Sequence, residues 1–298
     1  MEIEINKNRS FTACLRDARN FLIDHIETFA KKIWIPALIL SAMIALCGIL
    51  RLPNLALHNW GILHPWTSWI VQTIIYLGTL VAEIFYYSAV FNAANGHGLK
   101  KNLWRYLQLF LVSICVDIVL IAVCWGIKSL LTLFIGGHTL SHIANTTIFS
   151  LYTLVCAALF LIIIVPMSYI APKYMMDHDA KWKNFFKNFT VGFHRWSMLF
   201  LTGLLLALIM GLIMLVLSIP AIVLIFAQVS SQMGQFMGDP ANLPGYFPYL
   251  TFIVFTLTTL LFTGIMVYAI MTFIYVYGSI ETREKNKKEM TTKYDEKN

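Results

Sequence analysis

Two acidic residues, Glu83 and Asp117, stand inside long apolar runs with no basic residue beside them. A charge at the centre of a bilayer costs at least ~2.5–3.5 kcal/mol, so such residues face a bundle interior or a wet cavity. Counted at about 1.5 Å per residue from the basic flank of each run, both lie near mid-depth. They belong to consecutive runs, and two carboxyls that face one another could serve a path for a proton, a cation or a small solute. The plainer alternative is a pair of protonated carboxyls that tie helices together through Ser, Thr or Tyr.

Other chemistry is harder to build from this chain. His138 and His142 are four apart, a spacing that zinc sites use on a helix. The residues around them (Gly136, Gly137, Thr139, Ser141, Asn145) read as irregular, however, and Asp239 is the only acidic residue on that side. The five cysteines show no C-x-x-C spacing, and four lie in apolar runs, where Cys behaves as a small hydrophobe. H-E-x-x-H, G-x-S-x-G and the P-loop pattern are all absent, as is the G-x-G-D of intramembrane aspartyl proteases. The expectation is a protein without enzymatic activity, metal, cofactor or nucleic-acid partner. Thr256, Thr259 and Thr263, with Gly264, read as a helix-packing face.

The elements that hold these residues follow from composition. Apolar residues make up 58% of the 298 and charged residues 12%, about half the charge of an ordinary soluble domain, and mean hydropathy is +0.71. About 20 apolar residues cross a ~30 Å hydrocarbon layer. Runs of that length fall near 33–51, 66–92, 106–127, 147–171, 197–226 and 249–279. The fold class is therefore all-α, a polytopic bundle of six transmembrane helices. Residues 1–32 form a basic amphipathic segment, 33–279 the membrane domain and 280–298 a charged tail. Pro166 and Pro220 predict a kink or break in the fourth and fifth spans. The tail is poor in apolar residues, which predicts disorder.

Orientation follows from the basic residues. Of the 22 Lys and Arg, only Arg51 and Lys128 fall on one side of the six spans; the excess marks the cytoplasmic side. Both termini are thus expected in the cytoplasm. Trp34, Trp104, Trp182 and Trp196 fall at the inner boundaries and Trp60, Trp66, Trp69 and Trp125 at the outer ones, where amphipathic rings prefer to sit. The charged, amphipathic first thirty residues predict that the first span serves as the insertion signal without a cleavable one.

Each pair of spans is preceded by a basic, amphipathic stretch. The first puts Phe11, Leu15, Ala18, Leu22, Ile26, Phe29 and Ile33 on one helix face. The second, from Leu99 to Phe110, is shorter. The third puts Trp182, Phe186 and Phe189 on one side and Lys183 and Lys187 on the other, with Asp179 as N-cap. The even spacing predicts three helix-plus-hairpin repeats. Basic helices with aromatic faces suit the cytoplasmic interface, where anionic headgroups attract each Lys or Arg by about 1 kcal/mol. The partners expected are therefore membrane lipids.

The run Lys183-Asn-Phe-Phe-Lys-Asn-Phe-Thr-Val-Gly-Phe leading into an apolar span resembles those of bacterial six-span proteins related to the membrane domain of glycerophosphodiester phosphodiesterases. The resemblance is one of layout and composition over most of the chain. It implies a bacterial cytoplasmic (inner) membrane and a helical bundle. It implies no catalytic residues among these 298, because the phosphodiesterase site of that family belongs to a separate soluble domain. Three functions stay open: a protein that organises lipids or partners, a transporter or channel using Glu83 and Asp117, and a lipid-modifying enzyme.

Overall fold

A computed structural model describes residues 5–51, 65–135, 142–177, 185–238 and 243–295. Among them every regular element is a helix: α1 (Phe11–Asp24), α2 (Ile26–Arg51), α3 (Pro65–Asn95), α4 (Leu99–Ile135), α5 (His142–Met176), α6 (Phe185–His194), α7 (Trp196–Phe236) and α8 (Phe247–Asp295). Six of these, all but α1 and α6, are long and apolar enough to cross a membrane. Their outer faces agree. Ile118, Val119 and Ile121 of α4, Phe149 and Leu154 of α5, and Leu208, Leu212 and Leu215 of α7 are all exposed. Exposed apolar bands this extensive call for hydrocarbon as the solvent.

Successive long helices pair as antiparallel hairpins, α2 with α3, α4 with α5 and α7 with α8. The helix α8 is the axis of the assembly and packs on α1, α2, α5 and α7. Its Met271, Ile274, Val276 and Ile280 are fully buried, in one cluster with Tyr86 and Val90 of α3 and Tyr169 and Ile170 of α5. That cluster lies toward the end of the bundle where both termini meet. There the Arg9 amide donates to Ser279 Oγ at 3.0 Å, and Ser279 Oγ donates back to the Arg9 carbonyl at 3.0 Å. The opposite halves of α4, α5 and α7 are little buried.

The amphipathic stretches behave differently from one another. Ser10 caps α1 through the Ala13 amide, and α1 is a helix in its own right, ending at His25. Its apolar face does not rest on lipid alone: Cys14, Leu15 and Ala18 are buried, and Leu15 packs with Leu206 and Met210 of α7. The expected continuous face is therefore split, since Ile26 at the start of α2 is 67% exposed. The third stretch also gives a short helix, α6. Its Gly192 lets it sit directly on α5: a Cβ there would come within 3.1 Å of the Pro166 carbonyl oxygen. The second stretch is not separate at all, because Leu99 to Phe110 is simply the start of α4. Nothing between them favours a stop, as Arg105, Tyr106 and Leu107 continue the helix.

Pro166 and Pro220 lie inside α5 and α7, and neither helix is broken there. One further expectation is corrected. The tail from Glu281 is not disordered, since α8 runs on to Asp295. Charged partners explain its first turn. Lys173 Nζ meets Glu281 Oε1 at 2.5 Å and Arg195 Nη2 meets Glu284 Oε1 at 2.8 Å. Arg283 donates to Asn8 Oδ1 at 2.8 Å and to the Arg9 carbonyl at 2.7 Å. From Lys285 to Thr292 the helix is exposed, and its Lys, Glu and Met residues are good helix formers.

Candidate functional site

Glu83 and Asp117 do not form a pair. Tyr87 of α3 stacks on Tyr106 of α4 with ring centroids 5.2 Å apart, and this sets the register of the two antiparallel helices. Glu83 is one turn beyond Tyr87, which places it level with Phe110. Asp117 is seven residues farther along α4, about 10 Å away along the axis at ~1.5 Å per residue. The surroundings differ as well. Glu83 is half-buried and close enough to the Tyr87 and Tyr106 hydroxyls to act on them electrostatically. Asp117 is exposed, between the exposed Ile118 and Val119.

The densest polar chemistry lies instead at the end where the termini meet. Asn95 Nδ2 donates to Asn102 Oδ1 at 2.9 Å and to the Met175 carbonyl at 2.8 Å; Asn102 Nδ2 returns a bond to Asn95 Oδ1 at 3.0 Å. The His97 and Gly98 amides donate to Asn95 and Asn92 side chains, both at 3.0 Å. Gly96 and Gly98 take φ of 67° and 93°, the left-handed region where a Cβ is unwelcome. Arg105, only 8% exposed, reaches across to the Tyr174 and Asp177 carbonyls at 3.2 and 2.8 Å. This knot fastens the α3–α4 turn to the end of α5. The sequence signal was present as Asn92, Asn95 and Asn102 around Gly96-His97-Gly98, but it reads there as an ordinary turn.

A second cluster joins α5 to α8. The Tyr169 hydroxyl donates to Glu281 Oε1, and Lys173 Nζ donates to both Glu281 and the Tyr169 oxygen, the latter at 3.1 Å. Arg195 holds Glu284 Oε1 with Nε at 3.0 Å and Nη2 at 2.8 Å. At the N-terminus Arg9 Nε meets Asp17 Oδ2 at 2.8 Å. Burial raises the nearby Cys14 thiol to about 11. These groups are fasteners, each satisfied by a named partner.

Outward from them lies a rim of exposed basic residues: Arg16 and Arg19 on α1, Lys32 on α2, Lys187 on α6, and Lys285, Lys287 and Lys288 on α8. Of the expected interfacial residues, Lys187 is exposed and Phe189 packs against the main core. Trp182 and Lys183 lie outside the described residues, as do Asp179, His138, Asp239 and the side chains of Phe186 and His142. Trp34, Trp69, Trp104 and Trp125 are exposed, as rings at headgroup level would be. Trp196 is the exception. It turns inward to stack on Phe200 at 4.6 Å, with its buried Nε1 making no hydrogen bond. Among the described residues no cluster of His, Cys, Asp or Glu could hold a metal ion.

The threonine stripe divides. Tyr86 donates to the Thr263 carbonyl at 2.6 Å and Thr259 Oγ1 to the Ser41 carbonyl at 3.4 Å, both packing contacts. Gly264 instead faces an open groove. No family model matches the chain, and neither a curated protein nor a solved structure does.

Proposed function

We propose that this is a multi-pass protein of a bacterial cytoplasmic membrane, with both termini in the cytoplasm, that organises lipids or partners at that face without catalysing a reaction. The observation that carries this reading is the division of charge at the basic end. Arg9, Arg105, Lys173 and Arg195 are engaged in holding helices together. Arg19, Lys32, Lys187, Lys285, Lys287 and Lys288 project outward instead. Anionic headgroups at a cytoplasmic surface attract such residues by about 1 kcal/mol each. The layout resemblance to phosphodiesterase membrane domains agrees, because it implies location and fold and not catalysis.

The test is retention of phosphatidylglycerol over phosphatidylcholine by the protein in mixed-lipid nanodiscs. The comparison is a truncation of residues 286–298, which spares the ion pairs of Glu281 and Glu284. Enrichment of the anionic lipid that falls on truncation is expected. Equal retention of both lipids would remove the reading.

A transport function retains one supporting observation, the half-buried Glu83 beside Tyr87 and Tyr106. It requires proton- or cation-driven flux into proteoliposomes that Glu83→Gln abolishes. Without such flux the lipid-organising reading stands. No observation favours a lipid-modifying enzyme.

A further inference from the structure

A trough runs up the side of the bundle between α1, α2 and α8. Its volume is about 580 Å³, it is lined almost wholly by apolar atoms, and it is open along one side. Its walls include Leu22 and Ile26, Ile33 and Ala37 of α2, and Leu260 and Val267 of α8. Trp34, Ile23 and Ile26 stand exposed along its rim. At the basic end one charged residue lines it, Arg19.

The dimensions fit one kind of occupant. Along α2 the trough extends from Ile26 to Ala37, about 16 Å at ~1.5 Å per residue. That is close to the depth of one leaflet of a ~30 Å hydrocarbon layer. Arg19 stands at the basic end of these apolar walls, so an acyl chain in the trough would place its phosphate within reach of that side chain. Among the described residues Arg19 makes one hydrogen bond, to Asn20 Oδ1 at 3.2 Å. Four of its five N–H donors remain for an oxyanion, and Arg pairs with phosphate in a two-pronged fork. Trp34 at the rim suits the same headgroup level.

Gly264 lines the trough, and a Cβ built there would meet no atom within 4 Å, so the floor has room for a chain lying along α8.

We propose that this trough holds one anionic phospholipid of the cytoplasmic leaflet, its acyl chain against Gly264 and its phosphate on Arg19. The inference rests on the lipid-organising reading above and names its ligand and site. The experiment is native mass spectrometry of the full chain released from nanodiscs of phosphatidylglycerol and phosphatidylcholine. Five proteins are compared: wild type, Arg19→Gln, Gly264→Phe, the 286–298 truncation, and Gly211→Phe. Gly211, exposed on α7, also has nothing near its Cβ position and controls for a bulky side chain facing lipid.

The expected result is one phosphatidylglycerol retained by wild type and Gly211→Phe, and by the truncation as well, which loses only the anionic lipid carried in addition to that one. Its occupancy should fall about tenfold or more in Arg19→Gln, the scale of one charge-assisted contact, and be lost in Gly264→Phe. Retention at the wild-type level in both groove variants overturns the site. If the truncation alone then loses the lipid, the broader reading survives. A phosphatidylcholine held equally well overturns the anionic assignment. No lipid retained by any of the five overturns both. Arg19 is on the surface, so its variant keeps the test decisive even if Gly264→Phe folds poorly.

Discussion

Replacing Gly278 with alanine tests how the two ends of the chain are fastened. A Cβ at this position would lie 2.8 Å from the Ile5 carbonyl carbon, and closer still to the Ile5 oxygen and Cγ2. The side chain could turn aside, but the backbone could not without lifting residues 5–9 from α8. Lifting them breaks the reciprocal bonds between Arg9 and Ser279 at 3.0 Å. Both groups are buried, and each bond is worth about 1 kcal/mol net. A loss of ~2 kcal/mol, at ~1.4 kcal/mol per tenfold, raises the undocked population about 30-fold. The helix itself gains from alanine, so the defect should stay local. Hydrogen exchange of the peptide over residues 5–10, followed by mass spectrometry in nanodiscs, is expected to lose protection by that factor while the core of α8 does not. Unchanged protection at the Arg9 amide would refute the argument.

Further outcomes follow from the same geometry. Cys14 is fully buried and its thiol is raised to about 11, so a maleimide at pH 7.5 should label it only after unfolding. The protonated thiol favours the folded state below its ordinary value of 9.0, and that contribution fades as pH rises from 9 through about 11; a melting temperature flat across this window would contradict it. Asp117→Leu should ease membrane insertion of α4, because it removes a charge costing ~2.5–3.5 kcal/mol at mid-depth; an insertion assay showing poorer insertion would mean that Asp117 has a partner outside this chain. Trypsin acting on the membrane-embedded protein should cut after Lys287 and Lys288, which are exposed, well before Arg283, whose guanidinium holds Asn8 and Arg9; the reverse order would count against the docked helix end.

The spans were legible because hydrocarbon imposes length and apolarity on any helix that crosses it, so each of the six runs reappears as a helix, extended at one end or both. The ends moved because backbone hydrogen bonding does not stop at the hydrocarbon edge. Leu99 to Phe110 and Glu281 to Asp295 look polar enough to stop, yet each continues a helix already begun. Registers were not legible. Nothing in the run containing Glu83 or the run containing Asp117 shows that Tyr87 meets Tyr106, and that contact keeps the carboxyls apart. The Asn knot and the seat of Ile5 on Gly278 were hidden for a related reason: both join segments far apart in the chain, and a lone Gly or Asn carries no mark of its partner. Gly264 reads as packing from its neighbours Thr259 and Thr263, but only the fold shows that its side faces a trough.

In the proposed arrangement hydrocarbon surrounds this bundle and its basic end, with both termini, faces the cytoplasm. Reporters active only in the cytoplasm or only outside it, fused at each terminus and between α4 and α5, test it directly. Cytoplasmic activity at both termini and external activity between α4 and α5 are the predicted result. Termini on opposite sides, or activity outside the cytoplasm at both, would contradict it.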